Sequence, residues 1–320
     1  MKKLLYLVLS LALILCLFSG CGSKEKTEAD DGKIKVVATV FPAYDWAREI
    51  IGNCDDVELI LLLDNGVDMH SYQPSADDII TISTCDMFIY VGGQSDSWVD
   101  DALDQSQNKD MAVINMMDVL GESVREEAHL PGIEQEEEEH NHEYDEHIWL
   151  SLKNAQVICD AISDGLAQIS PENQKIFSEN CAAYDEKLSD LDSRYQAAAD
   201  SSSIKTLVFA DRFPFLYLTE DYGLDYYAAF EGCSAETEAS FETVAYLASV
   251  VDDLNIKSIL IIDGSDGKLA ETIISNTAEK NQQILTLDSM QSVSSSDIEG
   301  GETYLDVMEG NLEVLEEALK

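Results

Sequence analysis

The chain reads as an α/β protein of two lobes, each with a four-stranded, mainly parallel sheet flanked by helices, joined by one long rigid helix. Three observations predict this. Eight short, nearly continuous apolar runs alternate with helical patterns, as strands buried on both faces require. The runs fall into two groups of four, which implies two lobes rather than one long sheet. Between the groups, residues 151–199 carry apolar side chains at helical spacing and no strand signal.

The N-terminus comes first. Lys2 and Lys3 precede an apolar run over 4–18, too short to span a bilayer and stay there. Small residues then lead into Cys21, as in the bacterial lipobox, where the cysteine takes the lipid; Phe18 stands where that pattern usually has Leu. A plain secretory leader cut nearby is the competing reading. Residues 1–20 are thus expected to be a signal peptide. Residues 21–32 are polar and turn-rich, a lipid-anchored tether that would hold the body outside the cytoplasmic membrane.

The first lobe is expected over 33–150. Its strands are "IKVVATVF" (34–41), "VELILLL" (57–63), "DMFIYVG" (86–92) and "MAVINMM" (111–117), with helical patterns such as "AYDWAREIIG" between them. Linker helices follow over 151–200. There Ser170-Pro171-Glu172 resembles an N-cap with proline in the first helical position. A single helix from Pro171 to near Ala199 would be about 43 Å long, and its stiffness would limit hinging. The second lobe, 201–320, holds "IKTLVFA" (204–210), "DYYAAF" (225–230), "KSILIID" (257–263) and "QQILTLD" (282–288).

Charge narrows the function. Nineteen basic residues against 63 acidic ones give −44. Such a surface repels nucleic acid and anionic headgroups and attracts cations, so a nucleic-acid partner is not expected. Beyond Cys16 and Cys21 the cysteines are Cys54, Cys85, Cys159, Cys181 and Cys233. None forms a CxxC pair, which argues against a thiolate zinc knuckle, and the odd count leaves at least one unpaired.

Four residues stand where ligands of open α/β sheets bind, just beyond the carboxyl ends of strands. His70 follows the second run, and His147 lies in "DEHIWL", where Trp149 could shield one side. Neutral imidazole suits zinc and other transition metals. Asp211 follows "LVFA" and Asp263 ends "ILII". An aspartate ending an apolar strand is costly unless paired, hydrated or coordinating a cation. The bland alternatives are a solvated loop histidine and N-caps on the next helices. Two histidines from one lobe and two carboxylates from the other would make a four-ligand site, and spacing alone leaves both readings open.

The stretches "VVATVFPAYDWAREIIG", "GVDMHSYQPSADDI", "DEHIWLSLKNA" and "VSSSDIEGGETYLDVMEGNLEVL" occur in an order that resembles the metal-binding lipoproteins and periplasmic proteins that feed ABC transporters. The resemblance runs from Lys33 to Lys320. It implies two α/β lobes on a rigid helix, a buried divalent metal as cargo, an ABC permease as partner, and a monomer. It also implies metal ligands at His70, His147 and Asp263. At the third family position, usually His or Glu before an Asp-small-aromatic run, this chain has Ala210, so Asp211 is the substitute. Met69 replaces a usual proline. Glu236 and Glu238, in a loop that lines the site in the family, are accessory candidates, as is Cys233.

The acidic stretch 134–147 carries His140 and His142 ahead of His147, with no Lys or Arg between. Zinc members of the family often place a His- and acid-rich loop there, which could gather cations near the cleft; a solvated charge run is the alternative. His129 has no assigned role. Two histidines with two carboxylates lean toward manganese or iron, whereas the loop leans toward zinc, which also binds more tightly than manganese. Zinc is expected, with Mn²⁺ as the alternative. Catalysis is not expected. The histidines of "HEYDEH" are five apart where HExxH needs four, and neither GxSxG nor a phosphate loop occurs. A surface adhesin is the remaining alternative.

Overall fold

The computed structural model describes residues 32–127, 144–230 and 239–320. Cys21, His129, His140, His142, Cys233, Glu236 and Glu238 lie outside the described residues, as does the expected signal peptide.

Two four-stranded parallel sheets form, each flanked by helices, as the apolar runs predict. The first contains β1 (Ile34–Ala38), β2 (Val57–Leu61), β3 (Met87–Tyr90) and β4 (Ala112–Asn115) in the order β2-β1-β3-β4. The second contains β5 (Thr206–Phe209), β6 (Asp225–Ala228), β7 (Ser258–Ile262) and β8 (Gln283–Leu287) in the order β6-β5-β7-β8. Both orders reverse direction at the inner pair, β1/β3 and β5/β7. The carboxyl ends of those strands are where a parallel sheet opens a crevice.

Helix α1 (Phe41–Ile51) starts one residue before Pro42, whose fixed φ suits a first helical turn. It buries Trp46, Ala47, Ile50 and Ile51 against the first sheet and the linker. Helix α2 (Ala76–Thr84) is stopped at its start by a capping box between Ser75 and Asp78. Helices α3 (Val99–Asp104) and α4 (Met116–Leu120) complete the first lobe.

The linker is a helical hairpin. Helix α5 (Leu152–Ile169), capped by the Ser151 hydroxyl on the Asn154 N–H, packs on β3 and β4 of the first sheet, and α6 (Gln174–Ser201) returns along it to β5. At 28 residues α6 is about 42 Å long. Pro171–Asn173 form a tighter 3₁₀ turn ahead of it. Ser170 holds the expected N-cap position with Pro171 in the first turn. It is buried in the hairpin bend, however, and its hydroxyl makes no capping bond to the backbone, accepting from the Asn173 side-chain amide at 2.9 Å instead.

The second lobe adds α7 (Leu216–Asp221), α8 (Phe241–Asp253), α9 (Lys268–Asn276), α10 (Ser295–Glu299) and α11 (Tyr304–Ala318). The last of these crosses back onto α1 and α6. Tyr304 N–H donates to Asp45 (2.8 Å), its hydroxyl donates to the Trp149 carbonyl (2.7 Å), and its ring meets Trp46 edge-on. Tyr195 of α6 donates to the Met308 carbonyl at 2.6 Å. One apolar core therefore runs through the first sheet, the linker and α11, and a second, smaller one fills the outer side of the second sheet. No described helix is long and apolar enough to cross a membrane.

Candidate metal site

The chain after β2 makes one 3₁₀ turn, Met69–Ser71, whose start is set by Asp68: its Oδ1 accepts from the His70 N–H at 3.0 Å. Around it the lobes are in contact. Ser295 N–H donates to the Asp64 carbonyl at 2.7 Å, and Gly66, with φ +66°, lies so close to Ser292 that a Cβ there would be 2.8 Å from its carbonyl oxygen. The loop carrying His70 is thereby braced against the second lobe.

His147 precedes a second 3₁₀ turn, Ile148–Leu150, which leads into α5. It is only 1% exposed. Its N–H donates to Asp145 Oδ1 (2.8 Å), and its Nδ1 faces the same oxygen (2.9 Å). Trp149 packs edge-on against the ring at 5.3 Å, the shielding expected of it, and its indole N–H donates to the Ser289 carbonyl at 2.9 Å. Tyr217 of α7 donates to the Asp145 carbonyl and accepts from the Arg125 N–H, bracing both ends of the 126–144 segment.

The two imidazoles meet. His70 Nε2 and His147 Nε2 are 3.2 Å apart, while each Nδ1 is occupied from behind. For His70 the partners are Ser95 Oγ (2.8 Å) and Glu146 Oε2 (3.5 Å), and for His147 the partner is Asp145. Glu146 Oε1 in turn accepts from the Ser95 N–H at 2.8 Å. A partner on Nδ1 fixes which ring nitrogen presents a lone pair and how the ring points. Two nitrogens held by one tetrahedral zinc at 2.0–2.1 Å would lie about 3.3–3.4 Å apart, close to the observed separation.

Asp211 and Asp263 stand at the β5/β7 switch point. Neither is an N-cap: α7 starts after Phe215, and α9 after Gly267. Asp263 Oδ1 accepts from both the N–H and the hydroxyl of Ser289 at 2.7 Å, and its Oδ2 from the Ser292 hydroxyl. Asp211 Oδ1 accepts from the Arg212 N–H. Both carboxylates line a cavity of about 230 Å³ with Asp68, Arg212 and Gly264. The structure thus joins the four expected residues two by two. The histidines face each other, and the aspartates share a cavity that also takes in Asp68, two residues from His70. Ala210 is buried, its N–H donating to the Leu260 carbonyl.

Sequence reasoning missed the partners Ser95, Asp145 and Glu146. The last two were legible as the acids directly before His147, whereas Ser95 comes from the loop after β3. It also missed Asp160, Cys181 and Asp185, whose ligand atoms lie within 4.8 Å of one another. That group sits on the α5–α6 hairpin rather than in the cleft. Its i, i+4 pair, Cys181 and Asp185, was visible, but the register of the two helices was not.

A family model described as the periplasmic component A of the zinc-uptake complex, ZnuA, matches residues 36–318. The zinc-binding lipoprotein AdcA of Streptococcus pneumoniae is 32% identical over 324 residues, covering 99% of this chain. The chain spans 61% of the length of the streptococcal AdcA relatives it matches. The high-affinity zinc uptake system protein ZnuA of Bacillus subtilis is 29% identical over 322 residues, covering 97% of this chain and 96% of its own. The crystal structure of the Zn(II)-bound ZnuA-like domain of S. pneumoniae AdcA is similar at a TM-score of 0.71 and 30% identity, over 90% of this chain and 99% of that one.

Proposed function

The chain belongs to the family of periplasmic component A proteins of zinc-uptake complexes, and from that membership we propose that it captures Zn²⁺ between its lobes and delivers it to an ABC permease. The observation that carries the reading is the pair of facing Nε2 atoms 3.2 Å apart, each ring fixed from behind on Nδ1. His70 and His147 supply the nitrogen ligands. Asp263 and Asp211 supply the carboxylates, Asp263 held by three donors from the 289–292 loop. The relatives, zinc-binding and zinc-uptake proteins by name, favour zinc over manganese, and the lipoprotein among them favours a lipid anchor at Cys21.

The role is binding and transfer, not catalysis. A cation entering the cleft displaces protons and water, links the histidines of the first lobe to the carboxylates of the second, and so stabilises one lobe arrangement for docking. Described helices pack across the lobes, so small loop movements rather than wide closure admit and release the ion.

The test is metal content under competition. Protein stripped with chelator is offered zinc and manganese together, in parallel with His147→Ala and Asp211→Ala. One zinc per chain, lost in both variants, is expected. Manganese retained against zinc overturns the choice of metal, and binding that survives His147→Ala overturns the cleft.

A further inference from the structure

We propose that Arg212 is a built-in competitor for the metal, its guanidinium occupying the carboxylate side of the cleft and spanning the lobes until a divalent cation displaces it. The inference rests on the cleft reading above and adds a residue that sets how tightly the cleft binds.

Arg212 follows β5 in the second lobe, and Asp68 follows β2 in the first. Their side chains meet at 3.0 Å between a guanidinium nitrogen and Asp68 Oδ2. Asp68 uses its other oxygen to receive the His70 N–H and so start the turn that carries that histidine. One carboxylate therefore couples the arginine to a proposed ligand. Arg212 also adjoins Asp211 in sequence, and both line the cavity that Asp68 and Asp263 share. Three carboxylates and one fixed cation face a space large enough for several waters, at about 30 Å³ each.

A partly exposed ion pair contributes only modestly to stability. Its position gives it another consequence. A fixed single positive charge opposes the arrival of a double one. Even in a water-like dielectric, such charges about 7 Å apart repel by close to the free energy of one decade in affinity. The pair also gives the metal-free protein a cross-lobe link that the metal replaces. Removing the charge should tighten binding, and removing the link should loosen the stripped protein.

The experiment measures the zinc Kd of wild type, Arg212→Gln and Arg212→Lys by competition with a chromophoric chelator, at low and at high sodium chloride, together with the thermal midpoint of each stripped protein. Arg212→Gln is expected to bind about tenfold tighter at low salt, with the gap closing at high salt, and to melt lower when stripped. Arg212→Lys keeps the charge and stays near wild type. Equal or weaker binding by Arg212→Gln overturns the proposal, as does equal tightening in both variants, which would make shape rather than charge the cause. If wild type takes up no zinc, or His147→Ala binds as wild type does, the cleft reading itself fails and the proposal falls with it.

Discussion

Replacing Gly93 by alanine tests whether the shell behind His70 orients it. Gly93 has φ +81°, which a side chain rarely tolerates, and a Cβ there would lie 2.2 Å from Glu146 Oε1, 2.7 Å from its Cγ and 2.8 Å from its Cδ. The whole buried Glu146 side chain must move, not only its tip. The backbone conformation costs about 1–2 kcal/mol. Displacing Glu146 removes the 2.8 Å bond from the Ser95 N–H, a bond to a charged group worth about 1.5–3 kcal/mol. Together these predict a loss of about 2.5–5 kcal/mol, or roughly 4–8 °C in thermal midpoint for a body of this size. Glu146 and Ser95 are also the groups behind His70 Nδ1, so zinc affinity should fall about 10- to 100-fold. Calorimetric unfolding and chelator competition on the same preparations read the two effects separately. A lowered midpoint with a Kd within twofold of wild type would refute the orienting role. An unchanged midpoint would refute the steric argument.

Gly165→Ala is the counterpart away from the site. Its Cβ would meet Met87 Cε, the movable end of a flexible side chain, at 2.6 Å, so a small shift of that methyl offsets much of the helix-propensity gain of about 1 kcal/mol. Stability in urea melts should stay within about 1 kcal/mol of wild type, with zinc affinity unchanged. Burial pushes the Asp45 carboxyl up to about 6 against the bond from Tyr304 N–H and the Arg48 charge. The folded state therefore holds that proton more tightly than the unfolded one. Its stabilising contribution is full below pH 4 and is lost as pH rises through 6, up to about 3 kcal/mol; Asp45→Asn should flatten that slope in pH-dependent urea melts. Burial also pushes Cys85 and Cys181 up to about 12 and raises Cys159. These three thiols should resist an aromatic disulfide reagent at pH 8 until urea is added, and rapid native labelling of Cys181 would contradict its burial.

The inner strands β1, β3, β5 and β7 were legible because a parallel strand covered on both faces leaves a nearly continuous apolar run. The edge strands β2, β4, β6 and β8 are more exposed and were legible from their places in the strand–helix alternation. The ends were less so. The run 34–41 stops as a strand at Ala38, since the chain turns over Thr39 and Val40 into α1, and a run of apolar letters does not mark the turn. His70 was legible from its place after β2, whereas His147 lies well past β4 and α4 and was singled out by the sequence around it rather than by a strand end. Their mutual approach was not legible, because 77 residues separate them and only the packing of the 3₁₀ turns brings the rings together. Asp211 and Asp263 show a different limit. Their letters allow an N-cap as readily as an opening onto a cavity, and the choice is made by where α7 and α9 begin. The Arg212–Asp68 pair, 144 residues apart, has no local signature at all.

The two histidines are not equivalent, and the difference bears on how a bound ion would leave. His147 is buried, anchored at both its backbone N–H and its Nδ1 by one buried carboxylate, with Trp149 against its ring. Trp149 is tied through its indole to Ser289 and through its carbonyl to Tyr304 of α11. Moving His147 would therefore disturb the contacts that join α11 to α1 and the linker. His70 sits on an exposed turn whose start depends on Asp68, itself partly exposed and shared with Arg212. With α6 and α11 bridging the lobes, the least costly opening is a movement of the 64–72 loop that carries His70 away from a stationary His147. On that account, substitutions that loosen the loop raise the rate of zinc release and leave the core's unfolding unchanged. Substitutions around Trp149 lower stability first.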